Sequence, residues 1–141
     1  PRELIDFIYQ HHGTSLMNFF YKKAIDQAND GTVSENEFRY PGPRPQSKET
    51  AIVMLSDAVE AASRTLKDPT PSRIKGLVEQ IIDERFESGE LDDSPLTLRD
   101  LSKISAAFQK VLNGRFHGRV EYPGSEPKKQ NEEQKQESTT S

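Results

Sequence analysis

The chain contains no cysteine. That excludes disulfides and thiolate metal sites and fits a reducing compartment. It also lacks a long apolar run. No stretch approaches the ~18–20 residues of a membrane span, and no signal-peptide pattern is visible. An excess of positive charge is missing as well. Lys and Arg number 19 against 23 Asp and Glu, giving a net charge of −4 and a pI near 5.4. This argues against a broad surface for DNA or RNA. Apolar residues are few, 32% of the chain against 30% charged. From Gly124 to Ser141 there is no aliphatic or aromatic side chain. Such a segment cannot bury enough apolar area to offset its ordering entropy, so residues 124–141 are expected to form a disordered polar tail.

What remains fits one domain at most, at 141 residues. The chain opens on Pro1-Arg2-Glu3, without methionine and already inside an amphipathic pattern. This suggests a piece of a longer protein, with any membrane segment of the parent lying upstream.

The local patterns are helical, with no internal repeat and no convincing strand pair. Leu4, Ile5 and Ile8 recur at helical spacing and lead into His11-His12, where Gly13 ends the helix. Thr14 or Ser15 can cap a second helix that carries Leu16, Met17, Phe19, Phe20 and Ala24 and runs to about Asn29, where Asn29-Asp30-Gly31 stops it. Thr32 to Gln46 reads as loop, with one helical turn at Ser34–Phe38. The prolines at 41, 43 and 45 forbid regular helix there. Ser47 is positioned to cap a helix from about Lys48 to Leu66. Thr70 caps the next, with Pro71 at its first position and an end near Ser88-Gly89. Thr97 with Asp100 forms a capping box for a last helix, which Arg115 to Tyr122 either continues or frays. Five helices make an all-α fold. Phe19, Phe20 and Phe108 are expected in its core.

Two features carry candidate chemistry. The first is His11-His12, two of only three histidines. Imidazole suits Fe, Mn or Zn. Adjacent helical residues point ~100° apart, so both reach one site only near a helix end, which Gly13 supplies. The alternative is one histidine capping the helix C-terminus and the other packing. The third histidine, His117, reads as a surface or capping residue. The second feature is Asp57, inside the apolar, alanine-rich run Val53–Ala62. A carboxylate on a buried helix face is costly unless paired or metal-bound. The alternatives are an ion pair or exposure on a stripe with Val53, Glu60 and Arg64. Glu60 and Arg64 themselves have the i,i+4 spacing of a structural pair. Between the two features, Arg39, Arg44 and Lys48 surround the proline-rich loop and could cradle an anion. The helix start after Ser47 offers free N–H groups, and Tyr40 could stack on a base. The alternative is a rigid, solvated connector.

Several stretches together resemble the C-terminal half of an HD-superfamily metal-dependent phosphohydrolase domain. More narrowly, they resemble the intracellular HD domain of the seven-transmembrane HD family of bacterial cyclic-di-AMP phosphodiesterases. The carriers are Gln10-His11-His12-Gly13-Thr14, the loop from Phe38 to Gln46, the run Ala51–Arg64, Leu96–Leu101, and Arg119-Val120-Glu121-Tyr122-Pro123. The resemblance covers residues 1–123, and the proline-rich loop between the metal motifs is its most specific part. It implies a bundle of about five helices belonging to a larger domain, a cofactor of two divalent transition metals (Fe or Mn), and hydrolysis of cyclic-di-AMP to linear pApA by a metal-activated water. His11 and His12 would ligate one metal, and Asp57 would be the final aspartate of the set, on the other. No further catalytic residue is assigned. Arg39, Tyr40, Arg44 and Lys48 enter as substrate contacts on charge and stacking, not on the family pattern.

The resemblance also places the parent at the cytoplasmic face of the bacterial plasma membrane, with no membrane contact by this segment. The family's remaining histidines and its His-Asp doublet would lie upstream of Pro1, so these 141 residues alone are expected to bind metal poorly and to be inactive. Apolar surface around Ile8, Met54 and Ala58 is expected to be exposed and to invite self-association. The alternative is a non-catalytic helical module, either a degenerate HD domain that binds nucleotide or a protein-interaction domain. An enzyme for cyclic-di-GMP fits less well, because Tyr40-Pro41-Gly42 differs in order and place from that branch's Gly-Tyr-Pro.

Overall fold

A computed structural model describes residues 1–28 and 32–118. It contains five α-helices: α1 (Arg2–Gln10), α2 (Asn18–Gln27), α3 (Lys48–Ser63), α4 (Pro71–Glu87) and α5 (Leu98–His117). One 3-10 turn, Glu35–Phe38, precedes the proline-rich loop. Among the described residues there is no strand, only a single antiparallel bridge between Leu16 and Arg39. No described helix is long and apolar enough to cross a membrane. The expected tail from Gly124 lies outside the described residues.

Helices α3, α4 and α5 pack on one another, and α1 leans on α3. Their starts follow from local chemistry. Ser47 Oγ accepts from the Thr50 N–H at 3.1 Å, and Thr50 Oγ1 accepts from the Ser47 N–H at 3.2 Å, a closed capping box. Thr70 caps α4, with Pro71 at the first helical position. Thr97 and Asp100 repeat the capping box at α5. The core lies between these helices: Ala51, Met54, Leu55 and Val59 from α3, Ile74, Val78 and Ile82 from α4, Leu91 from the following loop and Leu112 from α5. The i, i+4 spacing of Ile74, Val78 and Ile82 gives α4 one buried stripe.

Several boundaries and burials differ from expectation. Helix α2 starts at Asn18, so Thr14 and Ser15 do not cap it. The Thr14 hydroxyl donates to Glu90 and the Ser15 hydroxyl to the His12 carbonyl. Helix α2 ends at Gln27; the stop signal beyond it lies outside the described residues. Helix α3 ends at Ser63, because the Thr65 and Leu66 N–H groups bond three residues back and tighten the chain. Phe108 packs against the core, but Phe19 and Phe20 are 72% and 58% exposed and meet edge to face. Helix α2 contacts chiefly the 3-10 turn, and nothing described covers its aromatic face. Ile8 is exposed as expected. Met54 is buried at 2%, contrary to expectation, because it points at the turn after α1.

Lys48 Nζ lies 2.9 Å from Asp100 Oδ2, joining the starts of α3 and α5. This hydrogen bond, with the Thr97 backbone and side-chain bonds, lowers the Asp100 carboxyl from 3.8 to about 2. A depressed carboxylate contributes stability that is complete above its ordinary value and is lost as pH falls through its folded one. Lys48→Ala is expected to move the Asp100 midpoint up from about 2, read by NMR titration of the carboxyl carbon. An unmoved midpoint would show that Lys48 is not the main cause.

Candidate metal and nucleotide site

Helix α1 ends in a tight turn that presents the two histidines. His11 occupies the C-cap. Its Nδ1 lies 2.8 Å from the Phe7 carbonyl oxygen and 2.9 Å from that of Ile8. A carbonyl only accepts, so Nδ1 is the donor here, and Nε2 is the nitrogen left to face a metal. Gly13 then adopts φ +53° and reverses the chain. The two imidazole rings lie 3.9 Å apart and are tilted by 39°. The His12 ring stacks on Tyr40, 4.3 Å away at 15°. Tyr40 is held by its N–H donating to the Ser15 carbonyl at 3.0 Å. Tyr40 therefore backs a candidate ligand in the structure as it stands.

The turn is gripped from two sides. The buried Gln10 side chain accepts from the Gln46 N–H at 3.0 Å, fastening the proline-rich loop to α1. From the other side Glu90, in the loop between α4 and α5, accepts from both the N–H and the hydroxyl of Thr14. Gly13 lies against this carboxylate: a Cβ there would stand 2.2 Å from Glu90 Oε2 and 2.6 Å from Met54 Cε.

His12 has a pKa lowered from its ordinary 6.5 by partial burial first, then by the charges of His11 and Arg85, with Asp57 acting in the opposite sense. Asp57 is thus within electrostatic reach of His12, across the contact between α1 and α3. It is solvent-exposed, which corrects the reading of a carboxylate on a buried helix face. Helix α3 turns its Leu55–Val59 stripe inward and carries Asp57 on the other side, so no desolvation cost demands a partner. Imidazole nitrogen and carboxylate oxygen suit Fe, Mn or Zn. Among the described residues, however, no three His, Cys, Asp or Glu side chains converge closely enough to hold a metal ion by themselves. The donor types fit; their number does not complete a coordination shell.

The cations expected to cradle an anion each have partners within the chain. Arg39 pairs with Glu35 and donates to the Thr14 carbonyl at 3.2 Å. Arg44 donates to the Gly89 carbonyl at 2.9 Å and reaches Asp93 at 3.2 Å and Asp92 at 3.8 Å. Lys48 holds Asp100. Glu60 and Arg64 pair at 2.9 Å as their spacing implied. His117 is exposed in the last turn of α5. A groove of about 550 Å³ between α4 and α5, lined by Ile82, Phe86, Leu98 and Leu101 among others, includes neither histidine nor Asp57.

Sequence reasoning missed two residues. Arg85, near the end of α4, has a buried Nε with no hydrogen-bond partner among the described residues, and its charge is felt at His12. Glu90 is almost wholly buried. Both sit in a charged run, Asp83 to Asp93, that reads as a solvated surface, and only the tertiary fold singles them out.

No family model matches the chain. It is 47% identical over 123 residues to the cyclic-di-AMP phosphodiesterase PgpH of Bacillus subtilis. It is 41% identical over 123 residues to PgpH of Listeria monocytogenes. Each alignment covers 87% of this chain and 17% of the relative. The solved HD domain of L. monocytogenes PgpH in complex with cyclic-di-AMP superposes with a TM-score of 0.79 at 39% identity. The match covers 86% of this chain and 56% of that one. The chain is homologous to part of the PgpH HD domain. The five-helix, all-α architecture is accordingly that of an HD domain. The chain spans about a sixth of the length of the curated PgpH relatives and about half of the solved HD-domain chain.

The local geometry makes Gly13 the most sensitive position of the turn. Gly13→Ala forces a left-handed alanine and displaces Glu90 and Met54, and is expected to lower stability by roughly 1–3 kcal/mol in urea unfolding. Wild-type stability in that variant would mean that the turn relaxes freely.

Proposed function

We propose that this chain is the part of a metal-dependent cyclic-di-AMP phosphodiesterase domain that supplies His11, His12 and Asp57 to a two-metal centre, at the cytoplasmic face of a bacterial plasma membrane. The observation that carries the reading is the 39% identical superposition on a PgpH HD domain that holds cyclic-di-AMP. The geometry of the histidine turn supports it: the protonated His11 Nδ1 leaves Nε2 free, and Tyr40 fixes the plane of His12.

Two bound divalent metals, iron or manganese, would supply Lewis-acid polarisation of a phosphoryl oxygen and a water acidic enough to attack it, yielding pApA. The chain's own part is to orient donors and place charge. Partial burial and the neighbouring charges lower the His12 pKa, favouring the neutral imidazole that a ligand must be. Asp57 faces solvent and is open to an incoming cation. Arg39, Tyr40, Arg44 and Lys48 are the proposed substrate contacts at the loop. Arg44 and Lys48 would have to share their guanidinium and ammonium protons between carboxylates and phosphate. Arg85 adds positive charge within electrostatic reach of His12, and phosphate is the anion a guanidinium suits. The described residues offer three of the ligands that two metals require, and we propose no turnover by residues 1–141 in isolation.

The test is cyclic-di-AMP hydrolysis with Mn²⁺ by the natural protein containing this chain, beside His12→Ala and Asp57→Ala. Both variants should lose metal, and their kcat should fall by more than the roughly 10–100-fold typical of residues that only support a ligand. Full activity in either variant would remove it from the ligand set. A wild type that binds the nucleotide without cleaving it would favour the non-catalytic module.

A further inference from the structure

Glu90 is a buried carboxylate for which neither the sequence motifs nor the proposed chemistry has a use. It is 2% exposed, and acidic side chains are almost never so buried unless paired. No cation pairs with it among the described residues. Both its oxygens instead serve one residue 76 positions away: Oε2 accepts from the Thr14 N–H at 2.9 Å and Oε1 from the Thr14 hydroxyl at 2.5 Å. Its own backbone is fixed in turn. The Glu90 N–H donates to the Arg85 carbonyl at 3.1 Å, and the preceding Gly89 carbonyl accepts from Arg44 at 2.9 Å. The carboxylate fills the space left by the missing Gly13 side chain. Charge-assisted bonds of this length are the strong ones, and they end two residues from His12.

We propose that Glu90 is a positioning residue for the His11–His12 pair. By holding Thr14 and closing over Gly13 it fixes the turn from which both rings project, and so sets their mutual angle for metal capture. The inference rests on the metal-ligand reading of the histidines given above. A tie that serves only the packing of the α4–α5 loop would affect stability alone; a positioning role also affects affinity and the rings themselves.

The experiment uses the natural protein containing this chain, with Mn²⁺ affinity measured by electron spin resonance and the histidine ring resonances recorded metal-free. Glu90→Ala should weaken Mn²⁺ binding about tenfold and shift the ring signals of His11 and His12. Glu90→Gln can still accept from the Thr14 N–H and donate to its hydroxyl, and should restore both readouts close to wild type. Ile74→Val, a core change that lowers stability without touching the turn, should alter neither. If Glu90→Ala does not fold, Thr14→Val removes the hydroxyl bond alone and should shift both readouts in the same direction by a smaller amount. Mn²⁺ affinity and ring signals unchanged in these variants, or lost equally in Ile74→Val, would overturn the role of Glu90 and leave the ligand assignment standing. A wild type that takes up neither Mn²⁺ nor Fe²⁺ would overturn both.

Discussion

The arrangement of the candidate site depends on the contact between Gly13 and Glu90. A left-handed residue without a side chain lets a carboxylate close against the backbone, and that carboxylate then holds the next residue through two hydrogen bonds. A buried charge without a cation is costly; here two donors on Thr14 offset the cost. The presentation of the histidines follows from the turn so fixed: the end of α1, the projection of two imidazoles, and the docking of Tyr40 onto His12.

The proline-rich loop has a structural part in this, whatever it binds. Its three prolines exclude regular helix, and the chain reaches across the turn by main-chain bonds: Met17 to Phe38 at 2.7 Å and Tyr40 to Ser15 at 3.0 Å. Arg44 then locks the loop to the segment that carries Glu90. Helix α1, the loop and the α4–α5 connection are thereby one unit around the histidines. Exposed ion pairs contribute little each; the value of the Arg44 contacts lies in where they place Gly89 and Glu90.

Much of the fold was legible because its signals are local. Ser47, Thr70-Pro71 and Thr97 with Asp100 mark helix starts by chemistry confined to four residues, and all three occur where the sequence places them. Burial was less legible, since helical spacing says which residues share a face but not whether anything covers it. Phe19 and Phe20 have core-like spacing and remain exposed, whereas Met54 is buried by a turn forty residues away in sequence. The histidine doublet and the proline loop could be read because rare residues stand together. Arg85 and Glu90 could not, because each owes its significance to a partner, or the lack of one, created by the fold. Asp57 stood out for the wrong reason: its helix is apolar on the other face, and what distinguishes it is proximity to His12.

The central claim is that the turn after α1 delivers imidazole nitrogen to a metal. Pulsed electron spin resonance of the Mn²⁺-loaded natural protein reads this directly, through the coupling of ¹⁵N-labelled histidine to the metal. The account predicts histidine coupling that weakens in His11→Ala and again in His12→Ala while the fold persists. Coupling unchanged in both variants would place the metal elsewhere and leave the turn a structural feature of the domain.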